Sequence, residues 1–428
     1  QNDAGAGTGT ITNNGTGTVV ITGALTFEQR DVAGVTNASY TAIVENLAAG
    51  KVNLLGGVIE NTFTVPSSGT NYTSAAGTKY TPVVSYNNAA AGQVEIGGGT
   101  STTFTGTFTT GAAAGKVTLK GPVTVVGALT NGAGHTIALG SNDLTLKGAL
   151  TNGGTFSSAG AGSGWLIFTV ATTDATGGTF SNIKSTATGA VSLTTAATIA
   201  GSIENAGTST ITIAGATTVT GNVTTNTGAG LITLSAGNVN GNISSAAGGV
   251  TLGGAGTVGG TITISGGTVT TNVTTVNGAV TMNGGGFTLG GNTTLMAAYT
   301  QNAGTITFAT FTLACKSNFT RISGTVNPNT GTLEFSAGGT QTFTGGTNFR
   351  VYNFQVNGVG TGVTFLNGSL EVMNNATIVS NTNVKLGSYN IRMLGLGGVG
   401  STYSNAGQVL VDPVDGGGGI IFEAPAVG

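Results

Sequence analysis

The sequence predicts an all-β chain, a parallel β-helix or β-solenoid with coils of about 19–21 residues. Three observations carry this prediction. A small motif returns at a fixed period, the segments between its copies alternate apolar and polar residues, and charge is nearly absent.

The motif is apolar-x-Gly-x-apolar. It occurs as Ile199/Gly201/Ile203, Val219/Gly221/Val223, Val239/Gly241/Ile243, Val258/Gly260/Ile262 and Val276/Gly278/Val280, so its glycines recur at nearly even intervals. A second rung, apolar-x-apolar, keeps the same period: Val191/Leu193, Ile211/Ile213, Ile232/Leu234, Val250/Leu252, Phe287/Leu289 and Ile306/Phe308. Val269 holds this register while Thr271 takes the partner position. Upstream, G-A-L-T occurs at 23–26, 127–130 and 148–151, the last two copies a single period apart. Two ladders sharing one period describe a stack of similar units, each too small to bury its apolar face alone.

Within a rung, Val, Ile or Leu alternates with Thr, Ser or Asn, the period-2 signature of a strand with one buried face. Gly/Asn-rich punctuation such as Asn152-Gly153-Gly154 separates the rungs. No segment keeps helical apolar spacing beyond a turn, so no long helix is expected. Parallel coils pair at about 4.8 Å, which puts equivalent side chains directly over one another. Val219, Val223, Val239, Ile243, Val258 and Ile262 are therefore expected in a core column, with Gly turning the chain between rungs. Asn222 is expected over Asn242 outside, their amides hydrogen-bonded along the stack.

Like charges stacked at that spacing repel, which gives a reason for a chain that is 6% charged when ordinary domains carry about a quarter. Between Glu204 and Lys316 there is no Asp, Glu, Lys, Arg or His.

Other folds fit less well. β-Sandwich strands differ from one another and hold no such fixed register. A membrane barrel needs longer alternating strands and aromatic girdles, and collagen needs Gly at every third residue.

In chain order, 1–27 is a strand segment, TGTVVITGALTF at 16–27, read as an inter-subunit connector through Val19, Val20, Ile21 and Leu25. Residues 28–92 hold four of the eight tyrosines and seven of the 26 charges, which marks an irregular insertion or cap. Residues 93–394 carry the solenoid repeats. Residues 395–428 form a C-terminal cap or interface segment, with Ile420, Ile421 and Phe422 as its assembly residues.

Composition also bounds the chemistry. Twelve Lys and Arg spread without a cluster exclude a nucleic-acid groove. No run approaches the roughly 18 apolar residues of a membrane helix. Cys315 is the only cysteine and is expected as a small buried apolar residue beside Phe311 and Leu313. His135, the only histidine, is expected in an exposed loop, without partners for a metal site or a triad. Trp165 reads as a packing aromatic and Asp143 as a turn former. Glycoside hydrolysis needs two carboxylates within roughly 10 Å. Glu95, Asp143, Asp174, Glu204, Glu334 and Glu371 are mostly more than one period apart. No catalytic residue, metal or cofactor is expected.

The run Tyr352-Asn-Phe-Gln-Val356, with Gly362-Val-Thr-Phe, Gly368-Ser-Leu-Glu-Val372 and Val384-Lys-Leu-Gly387-Ser-Tyr, resembles the repeats of secreted bacterial surface proteins and adhesins with β-helical stalks. The resemblance implies an exported, extracellular, structural or adhesive protein. The chain begins at Gln1, as an exported protein would after removal of a leader, and lacks a charged sorting module after the repeats.

The function these features suggest is a subunit of a secreted extracellular fibre, polymerising head to tail with itself through strand pairing at the solenoid ends. The alternative is a monomeric adhesin stalk or surface binding module, with cell-surface glycans as partners. A polysaccharide-active β-helix enzyme is the third reading.

Overall fold

The computed structural model describes 102–423, with breaks at 112–113, 195–197, 227, 359, 395–401 and 411–417; before residue 102 it describes strands between 7 and 96. The fold is a parallel β-solenoid, and no helix occurs among the described residues. Coil pairs with coil in parallel. The antiparallel exceptions among the described residues are Phe63–Thr64 with Lys79–Tyr80 and the Gly160/Ser163 bridge. The chain divides into two compact units, Gln1–Gly215 and Ala216–Gly428.

In the first unit, Val123–Val125 pairs with Leu144–Leu146, and the ladder continues through Trp165–Phe168, Asn182–Ser185 and Ile203–Asn205. Val123, Leu144, Leu166, Ile183 and Ile203 thus form one buried column. The two G-A-L-T copies lie in register, Leu129 against Leu150 and Thr130 against Thr151. A polar column also runs inside this unit. Thr110 Oγ1 donates to Asn131 Oδ1 (2.8 Å), Asn131 Nδ2 to Asn152 Oδ1 (2.9 Å), and the Asn152 backbone N–H to Asp174 Oδ1 (3.1 Å). Each member satisfies the next, which is what makes buried amides tolerable.

The segments divided at 27 and 92 on sequence grounds share this pairing. Gly7–Asn13, Thr18–Ile21 and Leu25–Glu28 pair in parallel with Tyr40–Asn46, Lys51–Leu54 and Val58–Asn61. Two of those ladders continue through Val83–Asn88 and Gln93–Ile96.

In the second unit a coil has three strands, for example Gly249–Leu252, Thr257–Val258 and Ile262–Ile264, followed one coil on by Thr268–Thr271, Thr275–Val276 and Val280–Met282. Val223, Ile243, Ile262, Val280, Tyr299, Phe319 and Phe343 stack in one register. Ile232, Val250, Val269, Phe287 and Ile306 stack in another. Toward the C-terminal side the column turns aromatic: Tyr299 and Phe319 stack with centroids 4.6 Å apart, and Phe343 and Phe365 lie 4.8 Å apart.

The apolar-x-Gly-x-apolar motif is the corner between the second and third strands, with Val258 ending one and Ile262 opening the next. Its glycine serves a purpose other than turning. Gly241, Gly260 and Gly278 all keep φ outside the left-handed region. A Cβ on Gly241 would sit 2.4 Å from the Gly221 carbonyl oxygen, and one on Gly260 would sit 2.6 Å from that of Gly241. The corners stack so closely that no side chain fits between them.

Candidate functional site

The last coil among the described residues consists of Thr402–Asn405, Gln408–Leu410 and Ile420–Glu423. They pair on one side with Leu370–Ile378, Asn383–Lys385 and Ile391–Leu394. Among the described residues no strand pairs with their other side. A strand edge of this kind presents a row of backbone N–H and C=O groups to any chain that can pair with it. Apolar side chains accompany it: Leu410 is 43% exposed, Ile421 40% and Phe422 61%. Ile420 is half-buried. The Phe422 ring meets Tyr403 edge-on at 6.3 Å.

At the other end of the sequence, Val19, Val20 and Ile21 lie in Thr18–Ile21, against Val52, Asn53 and Leu54, and Leu25 lies against Val58. Their side chains fall outside the described residues. The segment expected as a connector is therefore itself a coil on the stack of its own chain. Among the described residues, nothing pairs with the outer edge of Gly7–Asn13, Thr18–Ile21 or Leu25–Glu28.

The six predicted column residues, Val219, Val223, Val239, Ile243, Val258 and Ile262, are each at most 1% exposed. The outer Asn222 and Asn242 side chains bond along the stack, as expected, with the backbone of the next coil as donor. The Asn222 side-chain oxygen accepts from the backbone N–H of Asn242 at 2.9 Å, and Asn242 accepts from that of Thr261 at 2.8 Å. The amides bond along the stack to the backbone of the next coil.

His135 is buried, contrary to the exposed loop expected for it. Its backbone N–H closes a tight turn on the Gly132 carbonyl (3.1 Å), and its own carbonyl accepts from Thr155 (2.8 Å), so the next coil packs over the turn. Asp143 is not a local turn former either: its carboxylate accepts from the Trp165 backbone N–H, one coil ahead, at 3.0 Å. Trp165 itself is half-buried. Cys315 is buried together with Leu313, while Phe311 is half-buried. Burial, and then the nearby Glu334, pushes the Cys315 thiol well above the ordinary thiol range. Burial likewise raises the Tyr299 phenol, with Cys315 adding to the shift and Arg321 opposing it.

Ion pairs in register between successive coils were missed in the sequence, although the period contains them. Lys184 meets Glu204 at 2.8 Å, in register on the next coil. Glu371 is held from both sides by Arg350 (2.7 Å) and Arg392 (2.8 Å), one on the coil before it and one on the coil after. Comparing acids only with acids hides this arrangement, because the stack tolerates charge where opposite signs recur one coil apart. Among the described residues no three His, Cys, Asp or Glu side chains gather to hold a metal ion.

Compared with known proteins, the chain matches no family model, no curated protein and no solved structure.

Proposed function

We propose that the chain is the structural subunit of an extracellular fibre. In this reading the outer edge of the last coil of one copy pairs with the outer edge of the first coil of the next. The observation that carries it is the strand Ile420–Glu423, paired on one side with Ile391–Leu394, with Phe422 61% exposed beside its other edge. Parallel strands at both edges make the contact head to tail, and such a contact generates a filament unless its rotation closes. Low charge supports the reading, since 26 charges over 428 residues give little repulsion to keep copies apart. Support for an exported, cell-surface setting comes from the likeness of the Gly/Thr/Asn-rich repeats to those of bacterial surface stalks.

Two variants test the contact from its two sides. Deletion of residues 1–26 removes the first coil's first two strands and half of its third, and Phe422→Asp places a charge on the apolar edge. Both are expected to abolish polymerisation while the soluble protein keeps its β-sheet circular dichroism. If the truncated protein still polymerises, the N-terminal coil is not the connector.

A monomeric surface-binding stalk is the second reading. It is favoured by one observation, a cavity beside Arg392 that Asn348, Asn367, Ser369, Glu371 and Tyr389 help to line.

A further inference from the structure

Glu371 and Arg392 lie in register on successive coils and pair at the wall of a cavity of about 340 Å³, which Thr347, Asn348, Asn367, Ser369 and Tyr389 also help to line. Arg392 Nη1 donates to Glu371 Oε1 (2.8 Å), while Oε2 accepts from Arg350 through Nε (2.9 Å) and Nη2 (2.7 Å). Both carboxylate oxygens are engaged, and the two charges on the cavity wall offset one another. The volume is at the small end of the range for ligand pockets, enough for a saccharide unit or chain end.

The frame of the cavity is fixed by bonds within and between coils. Arg321 donates to the carbonyls of Gly345 (2.8 Å) and Thr347 (3.0 Å), in the turn that carries Asn348. Gly346 and Gly368 stack with left-handed φ of 64° and 91°, and a Cβ on Gly368 would fall 1.9 Å from the Gly346 oxygen. The Asn390 backbone N–H donates to Ser369 Oγ at 2.9 Å, and that of Tyr389 closes a tight turn on the Leu386 carbonyl at 3.0 Å. Inside this frame, the Thr347 and Tyr389 hydroxyls and the Asn348 and Asn367 amides have no hydrogen-bond partner among the described residues.

The chemistry of the lining narrows the ligand. A metal ion needs carboxylate oxygens, and both of those on Glu371 are taken. An anion needs positive charge in excess, which a paired Glu371 and Arg392 do not supply. An apolar ligand needs an apolar lining, whereas glycines, amides and hydroxyls dominate this one. A neutral sugar meets every condition. Amide and hydroxyl groups both donate and accept, as a sugar diol requires, and the half-buried Tyr389 ring offers an apolar face to sugar C–H groups. We propose that this cavity binds the end of a neutral oligosaccharide, its ring against Tyr389 and its hydroxyls bonded to Asn348 and Asn367. The site lies within a single chain and does not rest on the fibre reading.

The test is calorimetric titration of the full chain with maltotetraose, galactotetraose and mannotetraose, and with tetragalacturonate as the charged comparator. Saturable binding of at least one neutral probe is expected, with the same affinity in low and high salt because no net charge is engaged. Tetragalacturonate should bind more weakly than that probe. Tyr389→Ala should weaken binding roughly tenfold. Asn367→Ala, at an exposed position outside the ion pair, should weaken it roughly threefold or more with an unchanged melting temperature. This second variant keeps the test decisive if Tyr389→Ala proves unstable. The proposal is overturned if none of the three neutral probes binds, if tetragalacturonate binds as tightly, if affinity falls steeply with salt, or if folded Asn367→Ala binds as the parent does.

Discussion

The Asn222 side-chain oxygen accepts the backbone N–H of Asn242, one coil ahead, at 2.9 Å. Asn242 repeats the contact with Thr261 (2.8 Å), and Asn238 with Thr257 (2.8 Å), Asn292 with Thr312 (2.9 Å) and Asn318 with Thr342 (3.0 Å) do the same. Backbone bonds between coils run on through the corner at Gly259 and Gly260, and the Asn242 side chain supplies the acceptor for the neighbouring Thr261 N–H. Asn at a corner is thus a device for continuing the stack where strands stop.

Removing one such acceptor should cost about 1 kcal/mol. Asn242→Ala is expected to lower the denaturant midpoint with an unchanged slope. Asn242→Asp keeps the acceptor and should retain most of the stability at neutral pH. Equal losses in the two variants would show that the side-chain oxygen contributes nothing.

Corner glycines should resist substitution through space and not through backbone strain. Gly241→Ala forces a Cβ against the Gly221 carbonyl and should cost about 1–3 kcal/mol. Gly339 has open space around its Cβ direction, so Gly339→Ala should stay within about 0.5 kcal/mol of the parent. Urea titration of the two variants separates these outcomes.

Cys315 and Tyr299 should make the fold sensitive to alkali. Both groups have folded pKa values raised above their ordinary values of 9.0 and 10.0. Below those values both states are neutral and the full stability is present. As pH rises past 9.0 and then 10.0, the unfolded chain ionises first, and stability falls until the folded values are reached. The urea midpoint should therefore decline over this range, less steeply in Cys315→Ala. A thiol reagent at pH 8 should leave native Cys315 unmodified and label it only on unfolding.

Glu371→Gln leaves two guanidiniums on one column without their shared carboxylate. The loss should be about 1–3 kcal/mol, between the values for exposed and buried pairs. Added salt should narrow the gap between variant and parent, because it screens the pairing in one and the repulsion in the other. A salt-independent gap would mean that the loss comes from packing.

The fold was legible because the stack converts sequence period directly into contact. Val250, Val269 and Phe287 could be aligned on paper, and they lie in register in the structure, with Thr271 between Leu252 and Leu289 as its place in the sequence implied. What was hidden depends on distances between coils. The period places Gly241 over Gly221, but it does not say that the corners approach to within a Cβ of each other. His135 reads as a loop residue when the next coil is ignored, and burial follows only when Thr155 is laid over its turn. The ion triad was available from spacing alone, since Arg350, Glu371 and Arg392 follow one another at the coil period. The cavity beside it depends on where the turns at Gly346 and Gly368 leave space, which no periodicity encodes.

Electron microscopy of the purified full chain tests the fibre reading most directly. Filaments with an axial repeat of one chain, lost on deletion of residues 1–26 and in Phe422→Asp, are the predicted result. Isolated single-chain particles at all protein concentrations would contradict it.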